Sequence, residues 1–108
     1  MIIPEAALTF TAGEPSRVEW VSDQGTTRCG LFCGACGSRI VNGGKPSTGV
    51  FSLRAGTLDD TSWVQPVGDT FTRSAQPWVR FIEGGLRAER AATDYAPFVA
   101  AYKAQGRF

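Results

Sequence analysis

The residues best suited to chemistry are three cysteines, Cys29, Cys33 and Cys36, that fall within eight consecutive positions. Cys33 and Cys36 form a Cys-x-x-Cys pair that is followed directly by Gly37. Zinc prefers thiolate or imidazole ligands. A tight turn with glycine in the left-handed conformation allows both sulfurs to point to one centre. The spacing therefore predicts a zinc knuckle at Cys33 and Cys36.

Two other interpretations of the pair stay open from the residues alone. A redox dithiol uses the same spacing, but that motif normally opens a helix in an α/β context, which this chain lacks. The two thiols could also be idle core residues. Cys29 has two roles of equal standing, a third ligand or a small strand residue that faces the core.

The pair alone leaves zinc coordination incomplete. The remaining ligands could be Cys29, a carboxylate, water or a cysteine from another chain. A site that keeps water is catalytic in type, whereas a closed thiolate site is structural.

Composition removes several classes of function. The 108 residues contain no histidine, so a Ser-His-Asp or Cys-His triad cannot form within the chain. The net charge is +1 with no basic stripe, which argues against nucleic-acid binding. No apolar segment reaches the roughly 20 residues of a membrane helix, and the start is not typical of a signal peptide. We expect a cytoplasmic protein, where thiols stay reduced.

The elements that must position the cysteines are mainly strands. Length and composition predict a single domain over residues 1–108. Alternating apolar and polar residues predict strands at 8–11 and 49–54. Further short strands are predicted between turn residues at 17–21, 26–32, 38–41, 69–73 and 78–82. Residues 42–47 are expected to form a flexible turn. The fold class is thus mainly β, with small antiparallel sheets around the knuckle.

The tail predicts one C-terminal helix. Thr93 or Asp94 can cap it, and Gly106 marks its end. Its apolar residues recur at helical spacing: Tyr95, Phe98, Val99 and Tyr102.

Residues 32–40, Phe-Cys-Gly-Ala-Cys-Gly-Ser-Arg-Ile, resemble the second cysteine motif of the glutathione-dependent formaldehyde-activating enzyme family, which includes the centromere protein V domain. Further stretches resemble the family in the same order, and together they cover about residues 1–85. These stretches are 10–15, 56–60, Trp63 and 71–78. The resemblance implies that Cys33 and Cys36 belong to a structural zinc site. The upstream cysteine motifs of full members, including the catalytic-zinc triplet, are not matched here, so we expect the C-terminal portion of the family domain.

Three functions follow as hypotheses. The first is a zinc-binding domain, a shortened family member whose metal is structural. The second is a carbon–sulfur lyase that acts on glutathione–aldehyde adducts, with a zinc site completed by Cys29, water or a second chain. The third is a metal-stabilised interaction module without catalysis. Glutathione or another thiol adduct is the expected small-molecule partner. Open sheet edges invite pairing with another chain, so we also expect a homo-oligomer such as a homodimer.

Overall fold

A computed structural model describes residues 1–106 and divides the chain into two compact units. The first unit is Met1–Thr61 and the second begins at Ser62. Each unit is described on its own below, and the single domain over residues 1–108 stays a prediction. Within the described residues, no helix has the length and apolar character needed to cross a membrane.

The first unit is one antiparallel sheet of five strands. The strands are β1 (Ile2–Pro4), β2 (Ser16–Val21), β3 (Thr27–Phe32), β4 (Arg39–Lys45) and β5 (Val50–Leu53). They lie in the order β1-β5-β4-β3-β2. Strands β2 to β5 therefore follow one another as hairpins, and β1 adds to the far edge beside β5, with Ile3 opposite Phe51.

The turn between β2 and β3 shows why these residues form a hairpin. Gly25 has φ of 78°, and its N–H donates a 2.8 Å hydrogen bond to the carbonyl of Ser22. The Ser22 and Thr26 hydroxyls lie 2.7 Å apart and hydrogen bond to each other. Glycine adopts this left-handed conformation without steric cost, so the turn fixes the register that places Cys29 opposite Glu19.

One face of the sheet carries the small core. Directly paired residues share a face of an antiparallel sheet, and Cys29 is paired with Gly43. Among the described residues, the hydrophobic side chains classed as buried are Cys29, 4% exposed, and Val41, 0% exposed. A β-carbon at Gly43 would lie 2.9 Å from Phe51 Cε1 and 3.6 Å from Cys29 Sγ. Gly43 thus lets the Phe51 ring close over the middle of the sheet.

The opposite face is organised around Arg39. Its guanidinium lies over the Trp20 ring, with Cζ 5.4 Å from the ring centroid. Arg39 Nη1 also donates a 2.7 Å hydrogen bond to Asn42 Oδ1. A β-carbon at Gly30 would clash with this guanidinium. Arg39 is therefore packed against the sheet, and its contact with Trp20 is consistent with a cation–π interaction.

The second unit contains a short parallel pair and the helix. The parallel strands are β6 (Gly68–Asp69) and β7 (Leu86–Arg87), and the helix is α1 (Ala96–Lys103). Asp69 Oδ2 accepts a 2.9 Å hydrogen bond from the Ile82 N–H, which ties the intervening loop to β6. The Tyr102 hydroxyl, on α1, lies 3.4 Å from the Trp63 carbonyl and donates to it.

The mainly β class, the antiparallel sheet and the C-terminal helix are confirmed. The strands predicted at 17–21, 26–32 and 49–54 correspond to β2, β3 and β5. The predicted helix begins at Ala96, and Asp94 accepts a 2.8 Å hydrogen bond from the Ala96 N–H through Oδ1.

Several local predictions were wrong. Residues 8–11 form no strand, because β5 already pairs with β1 and a 3-10 turn at Glu5–Ala7 directs the chain away. Residues 42–45 continue β4 instead of forming a turn. Residues 69–73 cannot stay extended because Phe71 has φ of 58° and a 3-10 turn follows at Thr72–Ser74. Residues 78–82 form a turn and a coil.

Candidate metal centre

The candidate metal centre is the turn between β3 and β4. Strand β3 ends at Phe32, and the Cys33 N–H donates a 2.9 Å hydrogen bond to the Ser38 carbonyl. Inside that loop, the Gly37 N–H donates a 2.7 Å hydrogen bond to the Cys33 carbonyl. Gly37 has φ of 75°, the left-handed region that glycine tolerates. These two bonds fold residues 33–38 into a tight turn, called the knuckle below. Zinc binding by this turn stays a prediction.

The knuckle brings the two thiols together. The Cys33 side chain is half-buried, the Cys36 side chain is exposed, and both are free thiols. Hydrogen bonds from the Ser38 hydroxyl, from the Ser38 amide and from the Cys33 thiol hold the pKa of Cys36 below its ordinary value. Zinc binds the thiolate form of cysteine.

Ser38 is a residue that sequence reasoning missed. Its Oγ lies 3.3 Å from Cys36 Sγ. Serine side chains readily bond to groups two residues away along the chain. The serine in a Cys-x-x-Cys-x-Ser order was therefore the available signal, and it marks a group that orients the second sulfur.

Cys29 lies away from the knuckle, in the middle of β3. Its Sγ lies 3.9 Å from the Gly44 carbonyl oxygen, on the buried face of the sheet. An extended strand advances about 3.3 Å per residue, so four residues place the Cys29 backbone about 13 Å from that of Cys33. This position fits the second of the two roles expected for Cys29, a small core residue. Its role as a ligand stays a prediction.

The donor set of the knuckle fits half of a tetrahedral zinc site. Within residues 1–106, no group of three or more His, Cys, Asp or Glu side chains is placed to hold a metal ion. Two thiols in one tight turn match the chemistry of zinc, which takes four ligands in structural sites. If zinc binds here, Cys33 and Cys36 would supply two of its four ligands.

A cavity of about 330 Å³ opens beside the knuckle. It is lined largely by small and apolar residues, including Phe10, Ala12, Pro15, Cys33, Gly34 and Ile40. The segment before β2 thus forms one wall and the knuckle forms the other. Sequence reasoning did not find this cavity, because its walls are separated by the whole β2–β3 hairpin.

The model of the glutathione-dependent formaldehyde-activating enzyme family matches residues 1–74. The chain belongs to this family. The resemblance read from the motifs is confirmed, and the match spans the entire five-stranded sheet, the knuckle and the cavity. A search of curated proteins and a search of solved structures each returned no match.

The match to the glutathione-dependent formaldehyde-activating family covers the knuckle but not the C-terminal end of the chain. The matched residues end at 74, so helix α1 and strand β7 lie outside the matched part of the chain. The candidate ligands Cys33 and Cys36 lie inside it. The family assignment therefore supports the first unit as the part of the chain that carries the site.

Proposed function

We propose that this chain is a zinc-binding domain of the glutathione-dependent formaldehyde-activating family, in which Cys33 and Cys36 ligate a structural zinc ion. The observation that supports this proposal is the tight turn closed by Gly37, which holds Cys33 and Cys36 in one short loop. The free thiols also suit a reducing compartment such as the cytoplasm.

A structural role suits a sheet with a small core. Val41 and Cys29 are the hydrophobic side chains classed as buried in residues 1–106. A bound zinc ion would join the end of β3 to the start of β4 through Cys33 and Cys36. Structural zinc contributes directly to folding free energy because the site is absent from the unfolded chain.

The proposal is tested by metal content and by thermal unfolding with and without chelator. We expect purified protein to carry zinc, and chelator to lower its melting temperature. The Cys33→Ser and Cys36→Ser variants should lose the zinc and the response to chelator. Cys29→Ala is the matched control, because it removes a thiol from β3, the strand that leads into the knuckle, but should leave zinc content unchanged.

Two results would contradict the proposal. If wild-type protein prepared in zinc-containing medium were stable and free of zinc, the proposed zinc site would be ruled out. Loss of zinc in Cys29→Ala, with an intact fold by circular dichroism, would instead place Cys29 among the ligands.

The cavity beside Cys33 favours a second function, binding or cleavage of a glutathione–aldehyde adduct as a carbon–sulfur lyase. A zinc ion at the knuckle would supply Lewis-acid chemistry to a thiol substrate that lies in the cavity. Ala12→Trp should fill the cavity while keeping all three cysteines in the chain. If glutathione raises the melting temperature of wild-type protein but not of Ala12→Trp, the cavity binds the thiol. If glutathione causes no shift in either protein, the structural role stands alone.

A further inference from the structure

The knuckle supplies two thiols, and a closed zinc site needs four ligands. We propose that a second copy of this chain supplies the other two, so that one zinc ion joins Cys33 and Cys36 of both copies. This inference rests on the proposed function, because it takes the two cysteines as zinc ligands. It adds the partner and the stoichiometry of the site.

The first argument is the shortage of further donors. The sequence has no histidine, and Cys29 Sγ lies against the Gly44 carbonyl on the buried face of β3. In the part of the chain that the structure describes, no third His, Cys, Asp or Glu joins the pair. A zinc ion with two protein ligands and two waters is not the closed arrangement of structural sites. A second identical pair completes the tetrahedron.

The second argument is that a second copy of the chain can reach the knuckle. Residues 34–38 are exposed, Cys36 among them, and Cys33 is half-buried. Gly34 and Ala35 between the cysteines are small. A β-carbon at Gly34 would lie 2.6 Å from Ser16 Oγ, so this glycine also lets the knuckle pack down on the start of β2. Small side chains between the ligands leave room for a second knuckle to approach the same ion.

The third argument is the apolar surface beside the knuckle. Phe10 is 38% exposed and lines the cavity that Cys33 also lines. Pro15 and Ile40 belong to the same cavity. A second copy that meets the first at the knuckle would cover this surface on both chains. Burial of apolar area would then add to the metal–ligand bonds in holding the dimer together.

Pairing through the open edge of the sheet would not produce this site. Strand β2 is an edge strand, and its Ser16 end lies beside the knuckle because Ser16 is opposite Phe32. If β2 paired with itself antiparallel about its centre, each Ser16 end would face the Val21 end of the other copy. The two Ser16 ends would then lie about 17 Å apart along the strands. A dimer through β2 and a dimer through zinc are therefore distinct.

The test is a zinc titration of metal-free protein followed by light scattering and metal analysis. We expect a mass near 11.6 kDa without zinc and about twice that with zinc. Metal content should level off at about one ion per two chains. Cobalt in place of zinc should give a thiolate-to-metal absorption band with the intensity and tetrahedral pattern of four sulfur ligands. Excess chelator should return the protein to the smaller mass.

Cysteine variants distinguish a dimer joined by zinc from the alternatives. Cys36→Ser should remain the smaller species in zinc with its far-ultraviolet circular dichroism retained, whereas Cys29→Ala should dimerise like wild type. One zinc per chain in a monomer would overturn the shared site but leave the proposed function intact. A dimer that persists in chelator and in Cys36→Ser would also overturn it, in favour of the β2 edge. Absence of zinc binding would overturn both proposals.

Discussion

The Gly37 N–H donates a 2.7 Å hydrogen bond to the Cys33 carbonyl, and this bond closes the knuckle while Gly37 holds φ of 75°. The contact joins the residue after the second cysteine to the first cysteine itself. The turn that carries Cys36 therefore depends on the left-handed backbone of Gly37, a conformation that residues with a β-carbon adopt at a cost.

Gly37→Ala should weaken both the fold and the metal site. The β-carbon meets no atom within 4 Å, so the change is purely conformational. A left-handed backbone costs a residue with a β-carbon about 1–2 kcal/mol, and we expect a loss of that size in the free energy of unfolding. Urea unfolding and competition for zinc with a chromophoric chelator measure the two effects.

Gly56→Ala is the matched control for Gly37→Ala. It also places a methyl group in open space, but its φ is not in the left-handed region. Its stability and zinc affinity should match those of wild type. Equal behaviour of the two variants would mean that the conformation of Gly37 does not hold the knuckle.

Val41→Ala should lower the free energy of unfolding more than Val21→Ala does, although the two substitutions are the same. Val41 is fully buried in β4, whereas Val21, at the end of β2, is 69% exposed. Removing buried methyl groups costs transfer free energy and leaves a cavity, so we expect a loss of about 2–3 kcal/mol for Val41→Ala. Val21→Ala should cost less than about 0.5 kcal/mol. Chemical denaturation of both variants checks the difference, and similar losses would contradict the placement of the core.

Local sequence was sufficient to predict β2, β3 and β5, because each is a short run of strand-forming residues next to turn residues. It was also sufficient to predict the tight turn at the knuckle, since the spacing of Cys33 and Cys36 and the glycine after them are local. Zinc binding there stays a prediction. Ser38 and the cavity beside Cys33 escaped prediction. They depend on which atoms come together in space.

The extension of β4 shows how tertiary packing overrides a local signal. Gly43 and Gly44 are typical of a turn, but the missing side chain of Gly43 is what admits the Phe51 ring. In the second unit, the alternation around Phe71 suggested a strand. The chain bends there instead, and the Phe71 N–H donates a 3.0 Å hydrogen bond to the Arg90 carbonyl.

The stability of the fold should depend on pH through the carboxylate of Glu19. Its Oε1 lies 2.9 Å from Arg17 Nε, and Lys45 Nζ lies 2.8 Å from its Oε2. Hydrogen bonds from Lys45 and then Arg17 lower the pKa of Glu19 below its ordinary value of 4.5. The folded state therefore binds fewer protons at this site. Its contribution is present above the ordinary pKa and is lost as pH falls through the lowered one.

Glu19→Gln measures this contribution. The variant should be less stable than wild type at neutral pH. The difference should shrink as the pH falls below 4.5 and through the lowered pKa of Glu19, because the wild-type carboxylate becomes protonated. The pairs are exposed, so about 1 M salt should also reduce the difference. A difference that stays constant with pH and salt would show that charge is not its source.

Asp69→Ala should destabilise the second unit. The carboxylate accepts a 2.9 Å hydrogen bond from the Ile82 N–H in a partly buried position. Removal leaves that N–H without its acceptor, which costs about 1–2 kcal/mol. Asp69→Asn keeps an oxygen at the same place and should lose less. Hydrogen exchange at Ile82 gives a local readout, and equal protection in all three proteins would contradict this role for the side chain.

The fit between Gly30 and Arg39 constrains how the family can vary. The guanidinium occupies the space that any side chain at position 30 would need, while it also contacts Trp20 and Asn42. A relative with alanine or a larger residue at position 30 must give up the arginine at 39 or swing it off the sheet. Across homologous sequences, these two positions should therefore covary, with glycine at one accompanying arginine at the other.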